Sequence, residues 1–417
     1  MRSLPGGLLV ERNDQLTSLE GLDNLETIGG EIQITANPSL EDFDVLGGAT
    51  GTLTTFTLNS NPLVDSLDGL SGITAIGSLR ITNQPELTSL DVFNTIAVRG
   101  FLQLSGLPQV TSLSPLSFSD PLPDEIVING LGITSLAGLD NVPAQDMQRL
   151  TIVNNDNLTS LAGLDNLRGV LGQLEITDNP SLTDLSGLSN LLSVDGTFRI
   201  GELNIESLAG LESLTTVNTI QVRGNPQLTS LSGIDSLEEA TSVFINDNLA
   251  LSSLAGLAGL ETITQLNLIG NHSLTSLDGL VLPSSLSALV IDDNDALIHV
   301  DALQNVEELT STLFVSDNDR LKSLSGLSGL ATIGGRLEVQ QNAALEELGL
   351  TSLTSLPTQF WMPFRVFDNP QLPACLVDQL AQVLVDNGFG GEVSQSGNRE
   401  DCVCSETSGG VVDAICE

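Results

Sequence analysis

Clustered aspartates are the residues of this 417-residue chain whose types and spacing most directly suggest chemistry. Asp292, Asp293 and Asp295 stand close together, and Asp317 and Asp319 follow 24 residues after the last two. Calcium binds such groups of carboxylate oxygens, although these residues lack the ligand order of a calcium-binding loop. With a formal net charge of −40, the alternative is a solvated acidic surface that keeps the chain soluble. Calcium is therefore a candidate cofactor, and no other cofactor is expected.

Residues that enzymes use for acid–base chemistry are scarce. The two histidines, His272 and His299, read as substitutions at surface positions, and the chain has no tyrosine. Trp361 is its one tryptophan and Lys322 its one lysine, so a basic and aromatic substrate groove has little to be built from. We predict that the chain is not an enzyme. The enzyme alternative is a β-helix protein that acts on polysaccharides.

Four cysteines lie near the C-terminus, at Cys375, Cys402, Cys404 and Cys416. Four cysteines allow three pairings, of which we favour Cys375 with Cys402 and Cys404 with Cys416. Zinc binding is the rival interpretation, but a Cys-x-Cys pair without histidine is a poor structural zinc pattern. Disulfides indicate an oxidising compartment.

A repeat positions all of these residues. Leu-Thr-Ser-Leu recurs along the chain, and aligning on it gives turns of 22 to 24 residues, with one longer step of 27 at the end. This period predicts a parallel β solenoid of about 16 turns, in which each turn buries its apolar side against its neighbours. One alignment position, which we call the ladder position, is usually asparagine. It is occupied by Asn13, Asn37, Asn61, Gln84, Leu107, Leu131, Asn155, Asn179, Leu203, Asn225, Asn248, Asn271, Asn294, Asn318, Asn342 and Asn369.

Each ladder position follows a short strand whose apolar residues alternate, as Ile32 and Ile34 do before Asn37. We expect the asparagine side chain to point inward and to form hydrogen bonds with the backbone and with the next turn. The threonine of Leu-Thr-Ser-Leu forms a partial column, which would suit ice or mineral binding. Hydrogen bonding of Thr and Ser to the backbone of a tight turn is the simpler account. The column is Thr88, Thr111, Thr134 and Thr159.

The motifs Leu-Thr-Ser-Leu-x-Gly-Leu, Ile-Gly-Gly-x-Leu-x-Ile and Asn-Pro-x-Leu resemble the receptor L-domain repeats of growth-factor and insulin receptors. They are also similar to leucine-rich repeats of bacterial and fungal surface proteins. The resemblance covers nearly all of residues 6–372. It implies a right-handed parallel β-helix or leucine-rich-type solenoid exported to the cell surface, and it assigns no functional residue. The array is longer than a single L domain, so a signalling role is not implied.

Strand residues two, four and six before each ladder position should face outward, and this face is nearly neutral on an otherwise acidic chain. It is the predicted recognition surface for an unknown protein or glycan, whereas nucleic acid is excluded by charge. Cross-turn ion pairs are the competing account, because Glu125 and Arg149, Glu175 and Arg199, and Glu338 and Arg365 share columns on adjacent turns. The candidate binding residues are Arg80, Arg199, Arg223, Phe244, Val290 and Phe314.

The predicted organisation is a solenoid over 1–372 and a small α+β cysteine-bearing cap over 373–417, with a helix over 375–387. The chain begins within a repeat, so we expect an N-terminal cap and signal segment to be missing from this sequence. No stretch approaches the length of a membrane-spanning helix. The sequence thus predicts a monomeric extracellular or cell-surface protein for recognition, adhesion or scaffolding. A calcium-dependent surface-layer or ice-binding or mineral-binding protein is the alternative.

Overall fold

The computed structural model describes residues 2–119, 122–142, 147–357, 363–406 and 412–416. Trp361 lies outside the described residues. The chain forms a parallel β solenoid of about 15 turns with a small disulfide-bearing cap, which confirms the predicted fold class. Its residues group into two compact units, unit 1 (Met1–Asn204) and unit 2 (Ile205–Glu417).

Unit 1 contains a run of parallel strands, each joined to the equivalent strand of the next turn. Register places apolar residues in stacks, as where Ile32 lies beside Phe56 and Ile34 beside Leu58, and all four are buried. The strands are β1 Ser3–Leu4, β2 Gly7–Glu11, β3 Thr27–Ile28, β4 Gly30–Thr35, β5 Gly51–Asn59, β6 Ile73–Thr82, β7 Ala97–Leu107, β8 Ser117–Phe118, β9 Glu125–Leu131, β10 Met147–Val153, β11 Gly169–Asn179 and β12 Ser193–Leu203.

Unit 2 repeats the arrangement and ends in the cap. Its stacks include Leu266 beside Leu289 and Ile245 beside Leu268. Its strands are β13 Thr216–Arg223, β14 Glu239–Asn246, β15 Gln265–Ile269, β16 Ser285–Asp292, β17 Glu308–Ser316, β18 Thr332–Ile333, β19 Leu337–Gln340, β20 Phe364–Phe367, β21 Val393–Ser396, β22 Cys402–Glu406 and β23 Val412–Cys416.

The part of the repeat that holds Leu-x-Gly-Leu forms a short 3-10 helix in several turns. A side chain at the motif glycine would collide with the previous turn, as at Gly256 against the Leu231 carbonyl and at Gly69 against Phe43. The 3-10 helices span Asp44–Gly48, Asp68–Leu70, Asp91–Asn94, Ser186–Leu188, Ala255–Leu257, Asp301–Leu303 and Ser325–Leu327.

The residue before the ladder position bends the chain out of the strand in a left-handed conformation. Among non-glycine residues it includes Ala36 at φ 54° and Asp293 at φ 56°, whereas glycine takes this place at Gly106 and Gly270. Asn, Asp and Gly tolerate this conformation best, which accounts for the frequent aspartate before the ladder asparagine.

The ladder asparagines point inward as predicted. Asn37 is fully buried and donates its side-chain amide to the carbonyls of Val10 and Thr35. The side-chain oxygen Oδ1 of Asn37 accepts a hydrogen bond from the backbone N–H of Asn13 at 3.0 Å. Each asparagine thus pairs backbone groups of two adjacent turns, which satisfies polar groups that burial would otherwise leave without partners.

The cap begins with an α-helix, α1 Ala374–Asp386, which buries Val377, Leu380 and Leu384. Strand β21 then adds a parallel strand beside β20, and Asn398 accepts the backbone N–H of Asn369 at 3.3 Å. The ladder therefore extends one position beyond the predicted last asparagine.

The favoured disulfide pairing was wrong. The bonds join Cys375 to Cys404 and Cys402 to Cys416. Strands β22 and β23 form an antiparallel hairpin whose register sets Cys402 opposite Cys416. Because side chains alternate along a strand, Cys404 shares the face of Cys402 and is left to reach Cys375 at the start of α1.

Candidate functional site

From β14 to β20, the outward face of unit 2 carries a continuous central column of side chains, four residues before each ladder position. Register places each column member directly beside the next, on β14, β15, β16, β17, β19 and β20. Its first part is mainly apolar and its last part is charged. We call it the unit 2 column: Phe244, Asn267, Val290, Phe314, Glu338 and Arg365.

The charged end of the column is closely packed. Glu338 is only 4% exposed, and its carboxylate lies 3.2 Å from Arg336 and 2.8 Å from Arg365. The Arg365 guanidinium also lies 4.8 Å from the ring centroid of Phe367, and its Nε is shielded from solvent without a hydrogen-bond partner. We call Arg336, Glu338 and Arg365 the arginine–glutamate cluster. It fixes the position of one guanidinium that retains a free donor.

The six candidate binding residues divide between the units. Arg80 and Arg199 lie in unit 1, where Arg80 stacks 4.3 Å from the Phe101 ring centroid and donates a hydrogen bond to Ser78. In unit 2, the structure brings Phe244, Val290 and Phe314 into one column, whereas Arg223 lies beside Asn246 in the neighbouring row of outward positions, two residues before the ladder.

The predicted cross-turn ion pairs form in part. Arg199 lies 3.9 Å from Glu175, and Arg365 contacts Glu338 at 2.8 Å. Arg149 is aligned with Glu125 by register, but no ion pair within 4.0 Å joins these two described residues. Ion pairing therefore explains the outward placement of Arg365 and Arg199. It cannot explain the outward placement of the apolar members of the unit 2 column.

The threonine column has a structural role. Thr159 donates its hydroxyl to the carbonyl of Thr134 on the preceding turn, and Thr229 donates to the carbonyl of Glu206. The following serine accepts a backbone N–H two residues on, as Ser89 does from Asp91 at 3.0 Å. This agrees with the simpler account of these hydroxyl groups.

The five candidate calcium ligands fall at three kinds of position. Asp292 faces outward at the end of β16, where burial raises the pKa of its carboxyl and Asp317 and Asp293 add to the rise. Asp293 and Asp317 hold the left-handed bend, and Asp317 accepts a hydrogen bond from the Ser316 hydroxyl. Asp295 and Asp319 follow their ladder asparagines by one residue. Calcium binding by this set stays a prediction.

His272 joins two of these aspartates, which the sequence interpretation missed. Its Nδ1 lies 3.1 Å from an oxygen of Asp295 and 3.9 Å from one of Asp293. Burial raises the pKa of Asp293, as do the charges of Asp295, Asp317 and Asp247, while His272 acts in the opposite direction. The sequence did contain a sign of this contact. His272 and Asp295 each come directly after a ladder asparagine, so they occupy equivalent positions on adjacent turns.

Donor atoms of at least three His, Cys, Asp or Glu side chains lie within 4.8 Å of one another at two places among the described residues. One is His272, Asp293 and Asp295. The other is Asp401, Cys402 and Cys416, whose cysteines are already joined in a disulfide.

No protein-family model matches this chain, and no curated protein sequence matches it. It is similar to the solved structure of an internalin (inlF) from Listeria monocytogenes, at 15% identity and a TM-score of 0.33, with 92% of this chain and 87% of that chain covered. It is also similar to TLR13 in a TLR13–ssRNA13 complex, at 15% identity and a TM-score of 0.32, covering 98% and 72%. Both are leucine-rich-repeat proteins. At these TM-scores neither match bears on what this chain binds.

Within the described part of the chain, no helix has both the length and the apolar character needed to cross a membrane.

Proposed function

We propose that this chain is an extracellular recognition protein that binds a folded protein partner through the outward face of unit 2. The observation that carries the proposal is the unit 2 column, where Phe244, Val290 and Phe314 lie half-buried within four consecutive turns. Aromatic and arginine side chains in a central patch are the usual anchors of protein interfaces.

The charge of the face supports this partner class. Outward positions of β13 to β20 hold three arginines, Arg223, Arg336 and Arg365, against Asp292 and Glu338, which is a net of about +1. The whole chain carries −40. A partner with an apolar centre, and with carboxylates only where they meet Arg223 and Arg365, would complement this face within the acidic surface around it.

The two disulfides support an oxidising, extracellular setting, since such bonds are rare in reducing compartments. Recognition is favoured over catalysis because the residues of the unit 2 column offer apolar and ion-paired contacts and not a nucleophile with a base.

The test is a screen of yeast-displayed secreted and cell-surface ectodomains with the purified chain, repeated with F244S/F314S. The matched control is V127S/T151A, which changes outward residues of unit 1. We expect a partner that loses at least about tenfold in affinity with F244S/F314S and none with the control. Circular dichroism checks that both variants fold. A partner that binds F244S/F314S as well as the unaltered chain, or binding found only on a glycan array, would overturn the proposal.

A further inference from the structure

His272, Asp293 and Asp295 form a mixed nitrogen and oxygen cluster at the edge of unit 2, off the unit 2 column. Their three donor atoms lie within 4.8 Å of one another, with separations of 3.1 Å and 3.9 Å from the histidine nitrogen. A tetrahedral metal ion with bonds near 2.0 to 2.1 Å holds its ligand atoms about 3.4 Å apart. Small side-chain rotations suffice to reach that geometry.

The backbone that presents these ligands is fixed. His272 follows Asn271, and Asp293 and Asp295 flank Asn294. Both asparagines are fully buried, and the backbone N–H of Asn271 donates to the side-chain oxygen Oδ1 of Asn294 at 3.2 Å. The ladder therefore aligns one ligand with the other two across adjacent turns.

The Nδ1 atom of His272 is shielded from solvent, as is that of His299. Nδ1 of His272 is shielded from solvent and faces the two carboxylates, yet it has no hydrogen-bond partner. A shielded nitrogen without a hydrogen bond loses its hydration without replacement, so a ligand that accepts its lone pair would be favoured.

We propose that His272, Asp293 and Asp295 bind a divalent transition-metal ion, with zinc as the best fit. Imidazole nitrogen suits zinc and its neighbours, whereas calcium takes oxygen ligands only. Three protein ligands leave a fourth position for water, and the side chains remain 39% to 52% exposed, which leaves room for it. The nearby carboxylates of Asp247 and Asp317 strengthen the attraction for a dication.

His299 supplies a matched control. Its Nδ1 is also shielded without a hydrogen-bond partner, and it lies 3.2 Å from Asp301. His299 is not part of a cluster of three ligands among the described residues. His272 thus faces two carboxylates, whereas His299 faces one.

Isothermal titration of the full chain with zinc chloride, against calcium chloride, tests the proposal. We expect one saturable zinc site, at least a tenfold loss of affinity in H272Q, D293N and D295N, and no loss in H299Q. Asparagine tolerates the left-handed backbone at position 293, so D293N should fold normally. Because the chain has two histidines, proton NMR gives a second readout, in which zinc shifts the ring signals of His272 and not those of His299.

Three results would overturn the proposal: no saturable zinc site in the unaltered chain, equal zinc affinity in H272Q, or an equal loss in H272Q and H299Q. A site that survives H272Q but not D295N would be an all-carboxylate site of the kind that takes calcium. None of these outcomes bears on partner binding by the unit 2 column.

Discussion

The ladder of unit 1 is interrupted, and the ladder of unit 2 is not. Unit 1 has leucine at Leu107, Leu131 and Leu203, whereas unit 2 keeps asparagine at every turn from Asn225 to Asn398. Where leucine intervenes, part of the bonding persists, since the backbone N–H of Leu131 donates to Asn155 at 3.1 Å. A solenoid turn therefore tolerates loss of one ladder side chain. The uninterrupted series belongs to the unit whose face carries the unit 2 column and the histidine–aspartate cluster.

The largest expected effect comes from breaking the unit 2 ladder. Asn342 is fully buried and donates its side-chain amide to the carbonyls of Val315 and Gln340. N342A leaves several buried polar groups without hydrogen-bond partners, and each such group costs about 1 to 3 kcal/mol. We therefore expect the free energy of unfolding, measured in urea, to fall by about 3 to 5 kcal/mol. The matched control N13A removes an exposed ladder residue and should cost about 1 kcal/mol. Equal costs would show that burial of the ladder is unimportant.

Unit 2 also differs by its cross-links. The bond between Cys375 and Cys404 closes a loop with a sequence separation of 29, and the C375S/C404S variant should lose about 3 to 4 kcal/mol of stability. We expect hydrogen exchange to increase in unit 2 and to stay unchanged in unit 1. Faster exchange across β2 to β12 would contradict a local effect.

Charge pairing on the two faces gives a smaller contrast. Glu338 is buried between two arginines, whereas Glu175 is half-buried with Arg199 at 3.9 Å. E338Q should lower the free energy of unfolding by about 2 kcal/mol. This is less than the cost of breaking a fully buried ion pair, because both arginines are partly exposed. E175Q should cost about 0.5 kcal/mol or less. Thermal unfolding of the two variants compares them directly, and an equal cost would remove the distinction.

The smallest effect concerns acidic repulsion in unit 1. Burial, with the charges of Asp42, Asp68 and Asp65, raises the pKa of Asp44 above its usual 3.8. The folded chain therefore holds this proton more tightly, so stability falls as pH rises through the raised pKa. D44N should stabilise the chain at pH 7 by about 0.5 kcal/mol or less, a gain that disappears near pH 3. Added sodium chloride should shrink the gain at pH 7, because salt screens exposed charges.

The sequence predicts the fold well because the same pattern of residues recurs in almost every turn. Alternating apolar residues such as Ile32 and Ile34, and the recurring asparagine, specify strand, inward direction and register together. The disulfide pairing was not predictable in this way, since it depends on the hairpin that sets Cys402 opposite Cys416. Asn398 was missed because β21 lacks the repeat motif.

The candidate sites divide in the same manner. The shared outward column of Phe244, Val290 and Phe314 could be predicted, because outward positions follow from the strand period. The repeat pattern alone indicates only a surface substitution at His272, because its partners Asp293 and Asp295 lie on the next turn, and contact across turns depends on how far each side chain extends. A single residue that departs from the repeat pattern does not show which side chains it will contact. Those contacts become visible only in the folded structure, where adjacent turns pack together.

The ladder has an evolutionary consequence. Each buried asparagine accepts from the turn before it and donates to backbone carbonyls nearby, so every asparagine rung presents the same two interfaces. An in-frame duplication of one whole asparagine-bearing turn adds a rung whose polar groups are paired, whereas insertion of a single residue between a strand and its ladder asparagine moves the left-handed bend out of line. The chain can therefore lengthen or shorten by whole turns through recombination, and turns can vary from 22 to 27 residues, while the spacing between each strand and its ladder position stays fixed.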